Sequence, residues 1–220
     1  MANPLAAVEV DGRPYMVADV IDALRHHLYP KRVSRMEWVL AHRVEGLALG
    51  VEDLHKSHNG SACIRTAEAL GLQDVVAVEL RNPYPLEEPV DDPTDRSVQK
   101  IARWAHRWVD LHRLPDREGT LAWARARGMR IVGAGPRGAQ TLESLPVDQP
   151  TLVLFGNEAE GLAPETLEAC DDTFRIPMYG FTESFNVSVS VGMVLGRLSA
   201  RYRARLAEAG RTGDLPDARR

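Results

Sequence analysis

A chain of 220 residues that is 44% apolar and 26% charged has an ordinary globular composition and enough length to bury a real core. Its 27 Lys and Arg against 31 Asp and Glu leave a formal charge of −4, which excludes a protein that coats nucleic acid by charge alone but leaves local basic patches free to meet RNA. No run approaches the roughly 18 apolar residues of a membrane span, and no basic-then-apolar leader is visible, so a cytoplasmic protein with neither membrane nor DNA as partner is expected.

Val17, Val20, Ile21, Leu24 and Leu28 recur at helical spacing, and after the break at Pro30 a second helical pattern runs through Val33, Met36, Val39, Leu40 and Val44. This opening stretch, 1–45, reads as a helical extension whose Arg25, His26, His27, Lys31, Arg32, Arg35 and Arg43 make a basic region. From Leu47 strands and helices alternate: a strand over 47–51, a helix over 59–70 closed by Gly71, and a strand over 75–80. Residues 81–97 are rich in Pro, Asp and Glu and read as a long surface loop. A strand is expected over 107–111, a helix over 117–127, strands over 129–133 and 151–155, a short helix from Pro164, a strand over 173–176 and a long helix over 186–206. The alternation implies an α/β domain on a parallel sheet over 46–206, with 207–220 as a flexible tail. Cys63 and Cys170 match no zinc or redox spacing and read as buried, reduced thiols; no metal site is expected.

Gly133, Gly135 and Gly138 fit the G-x-G-x-x-G fingerprint of dinucleotide-binding units. That fingerprint works only where a helix follows at once and turns its N-terminal N–H groups to the pyrophosphate. Here Gln140 to Leu145 leaves room for barely two turns before Pro146, so the oxidoreductase reading is rejected in favour of a glycine turn that a ligand can approach.

Three longer segments carry more information: 55–71, beginning His55-Lys56-Ser57-His58-Asn59-Gly60; 154–162, Leu-Phe-Gly-Asn-Glu-Ala-Glu-Gly-Leu; and 176–190, with Ile176-Pro177-Met178-Tyr179-Gly180 and Ser184-Phe185-Asn186-Val187-Ser188. In order and spacing they resemble the three motifs of the SPOUT RNA methyltransferases, in particular the TrmH branch of tRNA guanosine 2′-O-methyltransferases, over about residues 45–205. The resemblance implies a SPOUT fold with a deep C-terminal trefoil knot, a homodimer, S-adenosyl-L-methionine as cofactor, and methyl transfer to a ribose 2′-hydroxyl of RNA, typically guanosine 18 in the tRNA D-loop. Ribosomal RNA as the substrate is the nearest alternative, and an RNA-binding module without catalysis is a second.

By the same resemblance Arg65 is the catalytic arginine, with Asn59, Glu158, Ser184 and Asn186 around it. A free guanidinium is a poor base at neutral pH, so a phosphate-orienting role stands beside proton abstraction. Taken without the motifs, Asn59 and Asn186 are ordinary helix caps and Glu158 a surface acid. The cofactor is expected against Ala134, Gly135, Phe155, Gly156, Ile176, Met178, Gly180 and Phe185, where glycines admit a close ligand and apolar side chains form walls. Phe185 stands where the family more often has Leu. For RNA phosphates the candidates are Lys56, Lys100, Arg103, Arg107 and Arg201, with Arg197, Arg203 and Arg205 beside them on the last helix.

Overall fold

The computed structural model describes residues 7–84 and 105–219. Lys100, Arg103 and most of the Pro- and acid-rich stretch lie outside the described residues. The body is a seven-stranded sheet in the order β5-β4-β3-β8-β6-β9-β7. Its strands are β3 (Leu47–Glu52), β4 (Asp74–Val78), β5 (Asp110–Leu114), β6 (Arg130–Ala134), β7 (Gln140–Thr141), β8 (Thr151–Phe155) and β9 (Asp172–Arg175), and all pair in parallel. Helices α3 (Ser57–Ala69), α4 (Arg117–Arg125), α5 (Pro164–Ala169) and α6 (Val187–Glu208) make the connections.

Period-two alternation distributes the strand side chains between two cores. Leu47, Leu49, Val51, Val75, Ala77, Val132, Val153 and Phe155 meet Cys63, Ile64 and Ala67 of α3 and Val191, Val194, Leu195 and Leu198 of α6. Their neighbours Ala48, Val76, Val78, Ile131, Leu152 and Leu154 face the other way, against Ala124 of α4, with Leu167 of α5 packed at the edge. Both faces being covered explains why β3, β4 and β8 are buried at every position and, apart from Glu52, Asp74 and Thr151 at their ends, carry no polar side chain. Gly50 in mid-β3 belongs to this packing, since a Cβ there would stand 2.3 Å from Leu154 Cδ2. Helix ends follow local chemistry. Asp116 caps α4 by accepting from Gly119 N at 2.6 Å, Pro164 occupies the first turn of α5, and Gly71 (φ +80°) provides the left-handed residue after α3.

Three expectations are corrected. A β-hairpin, β1 (Ala7–Val10) and β2 (Arg13–Met16), precedes α1 (Val17–Arg25) and α2 (Pro30–Ala41); Asp11 and Gly12 both take positive φ in its two-residue turn. None of these four elements buries a side chain. The strand foreseen at 107–111 begins instead at Asp110, because Ala105–Arg107 closes a 3₁₀ turn with Trp108 N donating to Ala105 O. The tail foreseen as flexible is pinned to the body. Asp214 accepts from Glu45 N (2.7 Å), Gly46 N (3.2 Å) and the Tyr202 hydroxyl (2.5 Å), and Leu215 is buried. Arg219 then spans Glu45, Asp74 and Asp110 across the amino ends of three strands. Burial alone would raise the Asp74 pKa, but hydrogen bonds from His112 and Arg219 outweigh it and hold this carboxyl below its usual range.

Candidate active site

Because the sheet is parallel, the loops leaving the carboxyl ends of its strands gather along one edge, the usual place for a ligand in such a sheet. Four matter here: 53–56 between β3 and α3, 135–139 after β6, 156–163 between β8 and α5, and 176–186 between β9 and α6.

A chain of hydrogen bonds ties three of them together. Asn59, buried in the first turn of α3, donates from Nδ2 to Glu158 Oε1 at 2.5 Å, and its Oδ1 accepts from Asn186 Nδ2 at 3.1 Å. Asn186 caps α6 by accepting from Ser188 N (2.9 Å) and from the Ser188 hydroxyl (2.6 Å). Glu158 also accepts from His55 N at 3.3 Å. Burial pushes the Glu158 pKa up, but the donors from Asn59, His55 and Lys56 prevail and hold it below the ordinary carboxylate range. At neutral pH it is therefore an anion with fixed donors. Asn59, Glu158 and Asn186 are thus brought together, and Asn186 is a cap and a bridge at once.

The remaining candidate residues distribute unevenly. Arg65 lies on the exposed side of α3, six residues beyond Asn59, and Ser184 is exposed in the loop before α6. Phe155 points into the core, where its ring meets Phe174 edge-on at 6.2 Å between centroids, so only its backbone is available to a ligand. Gly156 is packed so closely that a Cβ would lie 1.8 Å from the Gly161 carbonyl carbon, and the turn between them is closed by the Asn157 and Gly161 backbones. Ala134 and Gly135 are half-buried, and Gly135 N donates to Phe174 O at 2.9 Å. Ile176 and Met178 are half-buried, whereas Gly180 and Phe185 are exposed. After Gly138 comes β7 and no helix, which bears out the rejection of the dinucleotide fingerprint.

Lys56 and Arg107 are exposed. Arg201, a candidate for RNA contact, directs its guanidinium at the carbonyls of Leu142 (3.1 Å) and Leu145 (2.7 Å). Arg203 does the same to His42 and Leu70, and Arg205 to Val147. These arginines fasten α6 to neighbouring loops, where carbonyl groups at chain reversals lack ladder partners.

Comparison with known proteins fits this arrangement. Residues 46–196 match the model of the SpoU rRNA Methylase family. The chain belongs to that family. The SpoU region so matched contains every member of the hydrogen-bonded network, while the hairpin, α1, α2 and the pinned tail lie outside it. The SpoU chain is 35% identical over 185 residues to a tRNA (guanosine(18)-2′-O)-methyltransferase of Borreliella burgdorferi, spanning 83% of this chain and 79% of that one. Among solved structures it resembles the A. aeolicus TrmH/SpoU tRNA modifying enzyme with a TM-score of 0.70 and 26% identity, over 86% and 90% of the two chains. It also resembles the SpoU methyltransferase AviRb of Streptomyces viridochromogenes in complex with AdoMet, with a TM-score of 0.59 and 25% identity, over 72% of this chain and 58% of that one. The α/β class and parallel sheet implied by the alternation of strands and helices are the fold found in this SpoU protein.

Reasoning from sequence did not single out Ser188, whose N–H and hydroxyl both donate to Asn186. Ser188 follows Asn186 at the capping spacing and was open to recognition.

Proposed function

We propose that this protein transfers the methyl group of S-adenosyl-L-methionine to a ribose 2′-hydroxyl of RNA, with guanosine 18 in the D-loop of tRNA as its target. The observation that carries the proposal is the Glu158–Asn59–Asn186 network, which joins the three motif loops at the carboxyl edge of the sheet. Half-buried Ile176 and Met178 beside uncovered backbone at Gly180 suit a ligand with an apolar adenine face and a polar rim. S-adenosyl-L-methionine supplies an electrophilic methyl on a sulfonium. A ribose hydroxyl is a weak nucleophile, so the contribution asked of the protein is chiefly alignment. Asn59 and Asn186 hold the loops in register, Glu158 keeps a fixed negative charge beside them, and Arg65 grips the phosphate next to the target ribose. Ser184 completes the loop that faces the methyl donor. Lys56 and Arg107, with Lys31, Arg32 and Arg35 of α2, offer exposed cations to the RNA backbone.

The reading includes the family's trefoil knot, a cytoplasmic location and a homodimer. Phe185, just before α6, and Val189 and Met193 within it leave an apolar stripe 41–48% exposed, and this stripe supports self-association. Among the described residues no helix is long and apolar enough to cross a membrane. The test is transfer of labelled methyl to unmodified bulk tRNA and, separately, to unmodified ribosomal RNA, followed by nucleoside analysis. Label in 2′-O-methylguanosine from tRNA is expected. Label confined to ribosomal RNA would replace the substrate, and no label in either would reject the activity.

A further inference from the structure

The segment just beyond β4 grips both halves of the network. Asp53 directly follows β3 with φ +50°, and its carboxylate, buried to 1% exposure, accepts from Arg81 N (2.9 Å), Asn82 N (3.2 Å) and Arg81 Nε (3.0 Å). The same guanidinium reaches on to Glu160 Oε2 at 2.6 Å. Glu160 sits two residues after Glu158 in a turn that is stiff in its own right, because Asn157 Oδ1 accepts from both Ala159 N and Glu160 N. Three residues after Arg81, the Tyr84 side chain is 4% exposed and its hydroxyl donates to Gly60 O at 2.8 Å, directly beside Asn59. Tyr84 is itself held, since its N–H donates to Glu79 and its carbonyl accepts from Arg113.

We propose that Arg81 and Tyr84 are positioning residues for methyl transfer: Arg81 fixes the Glu158 turn through Glu160, Tyr84 fixes the first turn of α3, and together they set the Asn59–Glu158 contact. The proposal rests on that network being catalytic. Both residues fall outside the three motifs. An exposed ion pair such as Arg81–Glu160 contributes little to stability, so its removal separates geometry from folding. A small displacement at a reacting centre can cost on the order of 100-fold in rate.

The experiment measures kcat and KM for unmodified bulk tRNA, with melting temperature and S-adenosyl-L-methionine affinity, in Arg81→Ala, Glu160→Ala, the double variant, Arg81→Lys and Tyr84→Phe. Glu158→Gln serves as the control for the network. We expect kcat in Arg81→Ala and Glu160→Ala to fall about 10- to 100-fold with KM within about twofold; melting temperature should stay within a few degrees in Glu160→Ala, whereas Arg81→Ala also strips a donor from the buried Asp53 carboxylate and should melt lower. The double variant should be no worse than either single one, Arg81→Lys should recover part of the rate, and Tyr84→Phe should lose rate in the same way. Glu160→Ala leaves the buried Asp53 pairing intact, so the idea survives a misfolded Arg81→Ala. Wild-type kcat in Glu160→Ala alongside a dead Glu158→Gln would overturn the positioning role alone. Wild-type kcat in Glu158→Gln would bring down the network and the inference with it.

Discussion

Replacing Asn59 by Asp preserves shape and turns the neutral donor facing Glu158 Oε1 at 2.5 Å into an anionic acceptor. A hydrogen bond to a charged group, worth about 1.5–3 kcal/mol, disappears. Two carboxylates then face each other, and at about 4 Å between charges with an effective dielectric near 20 they repel by about 4 kcal/mol. The pair escapes this by sharing a proton. At pH 7 that costs about 3.7 kcal/mol for a carboxyl of ordinary pKa near 4.3, and the shared proton restores the bond. The variant should therefore be about 4 kcal/mol less stable at pH 7, or roughly 8–16 °C lower in melting temperature for a chain of this size. The folded pKa of the pair is raised above its unfolded value, so the folded variant binds the extra proton and its deficit shrinks as pH falls, to about 1 kcal/mol at pH 5. Denaturant and thermal unfolding of both proteins at pH 7, 6 and 5 checks this. A deficit below 1 kcal/mol at pH 7, or one that does not change with pH, would refute the contact and with it the network.

Arg65→Ala should abolish methyl transfer to tRNA while melting temperature and cofactor affinity stay at wild-type values; substantial residual turnover would remove Arg65 from the site. Gly156→Ala forces a Cβ to within 1.8 Å of the Gly161 carbonyl carbon, so the turn must open; cofactor affinity, read by calorimetry, should be lost even if the protein stays soluble. Burial would raise the pKa values of Asp53, Asp74 and Glu158, but their donors hold all three carboxyls below the ordinary range. Stability should accordingly be level from pH 8 to about 5 and decline below about 4, as these groups take up protons the unfolded chain already holds; a decline starting near pH 6 would contradict it. Burial raises the Cys63 thiol to about 12, so it should resist a thiol reagent at pH 8 until denaturant is added.

What could be read from the sequence follows from where information is local. Residues 152–155 are an uninterrupted apolar run between Thr151 and Gly156, and β8 occupies 151–155. The last helix was plain from its periodicity, and it begins one residue later than expected because Asn186 serves as its cap. The hairpin at residues 7–16 escaped notice although Asp11-Gly12 is a strong hairpin signal, since its strands pack against no core and show no clear alternation. At the site, Asn59, Glu158 and Asn186 were legible because each sits in a long motif. Arg81 and Tyr84 were not: their partners are 79 and 24 residues away, and the Arg81 contacts depend on the left-handed turn at Asp53. The arginines of α6 are hard to read for a related reason. A basic helix face looks alike in sequence whether it awaits phosphate or reaches for carbonyl groups across a fold.

The strand order also bears on how the molecule is made. β3 lies between β4 and β8, so one of its two edges stays unpaired until about 100 further residues have left the ribosome, roughly 5–20 s at ordinary elongation rates. Throughout that interval an apolar strand with open N–H and carbonyl groups is presented to every neighbouring nascent chain. The long α6, which fills the core over β3 and β8, emerges later still. Synthesis of this protein thus has a vulnerable middle, and slowing translation between codons 52 and 151 should increase its dependence on chaperones.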